Sequence, residues 1–242
     1  MGGLPYFYFN SLKSLDFGLY ITEKNTYDSP SRDVTYESVP GRNGDLIIDN
    51  DRYNNLSVKY KAAIIIPRES TCNFDVTTSK IKNWLLLNHG YYTLYDSYSP
   101  DYFRYASCNE TMNFNQSTKD VGSVEITFNC KPFKYSFEGQ ETVTCTEFGT
   151  VENPLCFPSL PYIKIYGQGN VTLYVNSEAF NFKSIDEYIE IDSETMNAYK
   201  GSQLQNSKME SLDFPKFKQG ENTVSWNGNV TKLEIIPRWC CL

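Results

Sequence analysis

Histidine is almost missing from this sequence: His89 is the only one among 242 residues. A Ser-His-Asp triad, a Cys-His pair or a histidine-bearing zinc site would each have to be built around it. It falls at the expected C-terminal end of a helix, where a surface histidine is ordinary. A nucleotide loop is missing too, because the glycines of "GRNGD" have the wrong spacing and no GK[ST] follows them. Clustered Lys and Arg are absent and the formal net charge is −7, which argues against nucleic-acid binding, since affinity for phosphates comes mainly from such clusters. No run approaches the roughly 18 apolar residues that span a bilayer. "MGGLPYFYFN" has neither the basic region nor the apolar core of a signal peptide, so the chain is expected to be soluble and non-secreted. Cys-x-x-Cys pairs are lacking as well. The seven cysteines (Cys72, Cys108, Cys130, Cys145, Cys156, Cys240 and Cys241) are scattered and odd in number, which points to reduced thiols in a cytosolic setting. The sequons at Asn109, Asn115, Asn170 and Asn229 would matter only in a secreted eukaryotic protein.

Tyrosine and phenylalanine are what the sequence has in abundance, 19 and 15 of them, while alanine is scarce. That balance favours strands, and the length suits one large β domain or two domains of about 100 to 150 residues. "YFYFN" and "SLKSLDFGLYI" read as a strand, a turn and a second strand. "LSVKYKAAIII" (56 to 66) reads as a strand that loses its alternation toward its end, as if buried on both faces. One helix is expected in "DVTTSKIKNWLLLNHG": Ile81, Trp84, Leu85 and Asn88 share a stripe, Thr77 or Thr78 caps its start, and Gly90 follows its end. Trp84, the largest apolar residue of the stripe, is the expected anchor onto a sheet. "YYTLYD" and "DYFRYASC" are strands around the turn "SYSP", and "VGSVEITFNC" alternates cleanly. Beyond a boundary near residues 133 to 140, six short strands ("YIKIYG", "VTLYV", "AFNFK", "YIEID", "NTVSW", "TKLEIIP") suggest an antiparallel sandwich. The fold class is therefore mainly β in two domains, 1–136 with one helix and 137–242, the last strand being free to pack back on the first domain.

The candidates for chemistry are few. "VPGRNGDLIIDN" (39 to 50) reads as a turn holding two strands in register, with an anion site as the alternative. "DNDRYNN" (49 to 55) opens like a calcium loop, but Asn54 and Tyr60 stand where the sharp-turn glycine and the bidentate acid belong. Glu190, Asp192 and Glu194 alternate and read as a solvated strand face, with a cation site or carboxylate pair as the alternative. "GQG" (167 to 169) reads as a hairpin turn, because no helix follows it. Nothing assembles into an active site, so no catalysis, cofactor or metal is expected. The aromatic content leaves a carbohydrate-binding module contacting a host cell wall as the alternative function.

"SLDFGLYI", then "RDVTYESVPGRNGDLIID" with "RYNN" behind it, then "IKNWLLLNHGYYTLYDSYSPDYFRYA" resemble the N-terminal domain of distal tail proteins, from long-tailed phages infecting Gram-positive bacteria. "NPLCFPSLPYIKIYGQGNVTLYVN", "YIEIDSETMNAYKG" and "DFPKFKQGENTVSWNGNVTKLEIIPRW" extend the resemblance over almost the whole chain. It implies a virion structural protein, made in the host cytoplasm, that forms a six-subunit ring at the tail tip. Its implied partners are copies of itself, the tail tube protein, the tail-associated tail-tip protein and receptor-binding proteins, with DNA passing through unbound and no membrane contact. The first domain would form the ring, and the second would be a galectin-like β-sandwich facing outward. "VPGRNGDL" is then a signature of the ring domain, and Pro40, Gly41, Arg42, Asn43, Gly44 and Asp45 become candidates for the subunit interface, with Arg42 and Asp45 able to pair within or between subunits. The galectin sugar set of histidine, asparagine and arginines is missing from the second half, where Arg238 is the only arginine and histidine is absent.

Overall fold

Alternating apolar and polar residues decide most of the architecture, which was obtained as a computed structural model describing residues 4–67 and 69–242. The chain divides into two units, Met1–Lys134 with Leu242, and Tyr135–Cys241.

The first unit contains β1 (Phe7–Phe9), β2 (Leu12–Lys13), β3 (Leu19–Asn25), β4 (Arg32–Glu37), β5 (Leu46–Tyr53), β6 (Leu56–Ile65), α1 (Phe74–Leu86), β7 (Tyr92–Asp96), β8 (Tyr102–Ser107), β9 (Asn113–Gln116) and β10 (Val121–Cys130). An antiparallel sheet runs in the order β2, β1, β7, β8, β10, β6, β3, with β9 added to β10. Its longest pairing, β6 with β10, keeps register from Leu56 opposite Cys130 to Ile65 opposite Val121. Val58, Tyr60, Ile64, Val124, Ile126 and Phe128 therefore share one face and fill the core with Phe7, Phe9 and the helix. The expected loss of alternation in β6 does not occur: Ile64 and Ile66 are buried while Ile65 is 44% exposed. Both edges of β6 are paired but only one of its faces is covered, so its apolar run is not a sign of two-sided burial.

The helix differs from expectation at both ends. Its N-cap is Asn73, whose side chain accepts from the Val76 amide at 2.9 Å. Thr77 and Thr78 lie inside the helix, buried, with their hydroxyls donating to the Asn73 and Asp75 carbonyls. The helix stops at Leu86, so Asn88 is exposed beyond it and Gly90 does not cap it. The stripe that buries is Phe74, Ile81, Trp84 and Leu85. The Trp84 ring stacks on Phe17 at 4.4 Å and on Phe7 at 5.6 Å, and its indole N–H donates to the Phe9 carbonyl at 3.0 Å. That bond ties the helix to the first strand while satisfying the one polar atom the ring would otherwise bury bare.

The remaining strands are β11 (Lys134–Ser136), β12 (Val143–Cys145), β13 (Gly149–Asn153), β14 (Tyr162–Val175), β15 (Glu178–Ile185), β16 (Tyr188–Asp192), β17 (Asn197–Lys200), β18 (Gln203–Leu204), β19 (Gly220–Ile236) and β20 (Cys240–Cys241). The second unit's main sheet runs β12, β19, β14, β16, β17, β18, with β13 on β19 and β15 on β14. Four of the expected short strands are two long ones. "YIKIYG" and "VTLYV" are the ends of β14, and "NTVSW" and "TKLEIIP" are the ends of β19, paired from Tyr162 opposite Ile236 to Val175 opposite Val224. "GQG" is consequently no hairpin turn but a bulged bend within β14, where the register shifts around Gly167 and Gln168. A Cβ on Gly167 would collide with the Asn229 carbonyl oxygen, and one on Gly228 would lie 2.5 Å from that of Asn170. Glycine here permits close approach of two bent strands. β14 and β19 form a spine: Leu173 at one end of it, with Phe180 and Phe182 of the adjoining β15, and Ile163 and Ile235 at the other end, with Ile191 of the adjoining β16, belong to one core that includes Phe217, so the bend folds a continuous sheet into two layers.

Candidate functional site

β4 and β5 form a two-stranded sheet of their own, pairing Val34 with Asp49, Thr35 with Ile48, Tyr36 with Ile47 and Glu37 with Leu46. Opposed residues share a face, so Val34, Tyr36 and Ile47 lie on one side and Ile48 and Leu46 on the other. Every residue from Thr35 to Arg52 is exposed, with Tyr36 at 63% and Ile47 at 60%. A lone hairpin is marginal in water, and this one has apolar side chains on both faces with its outer strand edges unpaired. Covering each large apolar side chain completely would gain about 1.5–3 kcal/mol, a gain that the isolated chain does not take.

The base of the hairpin is polar and closed. Arg32 Nε donates to Asp49 at 2.7 Å, and Arg52 Nε and the Asn50 amide donate to Asp33 at 2.6 and 3.1 Å. The Arg32 bond holds the Asp49 carboxyl below its ordinary range, and the Asn50 and Arg52 bonds do the same for Asp33. These groups are open to solvent, so the clasp orients the hairpin more than it stabilises it. At the tip, Arg42 N donates to the Val39 carbonyl at 3.1 Å, while Gly41 and Gly44 take φ of 79° and 82°. Nothing crowds either glycine; the left-handed backbone itself is what calls for them. The structure thus brings Pro40, Gly41, Arg42, Asn43, Gly44 and Asp45 together on one exposed loop. Among the described residues neither Arg42 nor Asp45 has an ion-pair partner. The apolar faces behind the loop escaped the sequence reading. The available signal was Leu46-Ile47-Ile48, which must place apolar groups on both faces of its strand.

The other candidates disperse. His89 is exposed just past the helix. Asp49 to Tyr53 of the calcium-like stretch belong to β5, and no described group of three or more His, Cys, Asp or Glu residues is placed to hold a metal. Glu190, Asp192 and Glu194 do not form the solvated face expected of them. Glu190 lies 3.4 Å from Lys164, and Asp192 accepts from both Nη atoms of Arg238 at 2.6 and 3.2 Å, with Glu194 3.7 Å from the same guanidinium. Burial pushes the Asp192 pKa up, but the hydrogen bonds and charge of Arg238 outweigh it and hold the carboxyl below its usual range. All seven cysteines are unbridged. Burial raises the Cys108 thiol to about 11 and those of Cys130 and Cys240 to about 12, which leaves them unreactive near neutrality.

No protein-family model matches this sequence, nor does any curated protein. Among solved structures, the crystal structure of SPP1 Dit (gp 19.1), described as a paradigm of hub adsorption apparatus in Gram-positive infecting phages, aligns with a TM-score of 0.73. The alignment covers 99% of this chain and 100% of that chain at 12% sequence identity. The likeness is one of fold, extending from one end of the chain to the other.

Proposed function

We propose that this protein is a distal tail protein, a structural component of the tail-tip adsorption apparatus of a phage infecting Gram-positive bacteria. The observation that carries the reading is the match in fold to SPP1 Dit over the full length of both chains. In this reading the subunits close into a six-membered ring through a heterologous interface. The β4–β5 hairpin is the arm that each subunit lays on the next, covering Tyr36, Ile47 and Ile48, while Arg42 and Asp45 at its tip meet opposite charges on the neighbour. The tail tube protein binds one side of the ring and the tail-associated tail-tip protein the other, and receptor-binding proteins attach through the second unit. The net charge of −7 suits a conduit through which DNA slides without adhering. No catalysis is assigned to it.

Light scattering on the intact protein, with negative-stain images, tests the proposal. The expected result is a ring of about six subunits that Arg42→Glu weakens with a salt-dependent response. A monomer at every concentration and salt, with tube and tip proteins also failing to recruit it, would sink the proposal.

A further inference from the structure

The second unit carries a polar groove of about 490 Å³. Asn170, Asn181 and Asn227 line it, where the bend in the spine brings β14, β15 and β19 together. In each asparagine the side-chain carbonyl is already committed. Asn170 Oδ1 accepts from the Ser184 amide at 3.1 Å, Asn181 Oδ1 from the Thr172 hydroxyl at 2.8 Å, and Asn227 Oδ1 from the Gly228 amide at 3.0 Å. None of the three Nδ2 groups donates to another described residue. Fixing the carbonyl fixes the amide plane, so three donors are held in orientation before any ligand arrives. Lys183 and Glu210, 3.5 Å apart at the same groove, add a donor and an acceptor whose charges cancel. That balance gives an anion no advantage over a neutral ligand. An extended peptide is disfavoured because the outer edge of β15 is occupied: Met209 bridges to Phe182, and the Glu210 amide donates to the Asn181 carbonyl at 2.9 Å.

We infer that the groove binds a saccharide, whose hydroxyl oxygens accept from the three asparagine amides and whose hydroxyl protons go to Glu210. A sugar hydroxyl is donor and acceptor at once, which matches this mixture better than a ligand carrying acceptors alone. The site differs from the galectin constellation, since it uses neither histidine nor arginine. It concerns the second unit's own surface and does not depend on ring assembly.

The test uses the intact protein on a glycan array, followed by saturation-transfer NMR with the glycans that bind. Asn170→Asp, Asn181→Asp and Asn227→Asp each keep an acceptor oxygen for the committed bond and replace the donating NH2 with a charged, acceptor-only oxygen. The expected result is binding to at least one glycan, weakened tenfold or more by each substitution while the melting temperature holds. Silence toward all glycans by both methods would overturn the inference. So would glycan binding that survives the triple substitution, or capture of peptides from a library in place of glycans.

Discussion

Leu46-Ile47-Ile48 and Ile64-Ile65-Ile66 look interchangeable in the sequence, yet the first triplet is exposed throughout, at 40, 60 and 41%, while Ile64 and Ile66 are buried at 0 and 6%. The second triplet ends a strand flanked on both edges by β3 and β10, over a core that the helix closes. The first lies in a strand with a single partner. An apolar run therefore reports a demand for burial, and pairing determines whether the chain meets that demand itself or leaves it to another molecule.

The contrast can be broken by removing its buried side. Trp84→Ala takes a stacked ring and a hydrogen bond from the core, and is expected to cost roughly 3–5 kcal/mol, read as a large fall in the denaturant midpoint of the first unit. A midpoint unchanged within error would contradict the packing described. The same truncation made twice sharpens the comparison. Ile64→Ala should cost about 2–5 kcal/mol, whereas Ile47→Ala should stay within about 0.5 kcal/mol for the monomer and show itself in light scattering as lost assembly. Equal losses of stability would mean that the hairpin is packed within its own chain. Glycines make a second pair: Gly167→Ala at the crowded bend should cost about 1–3 kcal/mol, and Gly44→Ala at the open tip about 1 kcal/mol from backbone alone. Thermal melts of the two variants would rank them.

The smallest effect concerns the clasp at the hairpin base. Asp33 and Asp49 titrate below ordinary carboxylates when folded. Their contribution is therefore complete above the unfolded value and is lost as pH falls through the depressed folded values. Acidification should reduce amide protection in β4 and β5 before it touches β6 and β10. Hydrogen exchange corrected for intrinsic rates would show whether all four strands fade together instead.

Much of the fold was legible because period-two patterns translate directly into faces. "VGSVEITFNC" buries Val124, Ile126 and Phe128 as its alternation requires. Where the reading failed, local chemistry was ambiguous. Asn73 and Thr77 can each cap a helix, and only the backbone path selects Asn73. A glycine pair such as "GQG" serves a turn or a bulge equally well, and what decides is the partner strand some sixty residues away. Of the candidate site, the loop from Pro40 to Asp45 could be seen through its glycines. The exposed faces behind it could not, because exposure depends on what fails to pack there. The groove at Asn170 was hidden for a similar reason, since it exists only where the distant β19 meets the β14–β15 hairpin.

The continuous spine of the second unit has a mechanical consequence. β14 and β19 each pass through both layers, so no seam runs between the layers along which one could peel from the other. A load applied across that unit must shear the β14–β19 ladder as a whole or leave it intact. Under tension it should give way in one abrupt step, with no stable half-open state to rest in.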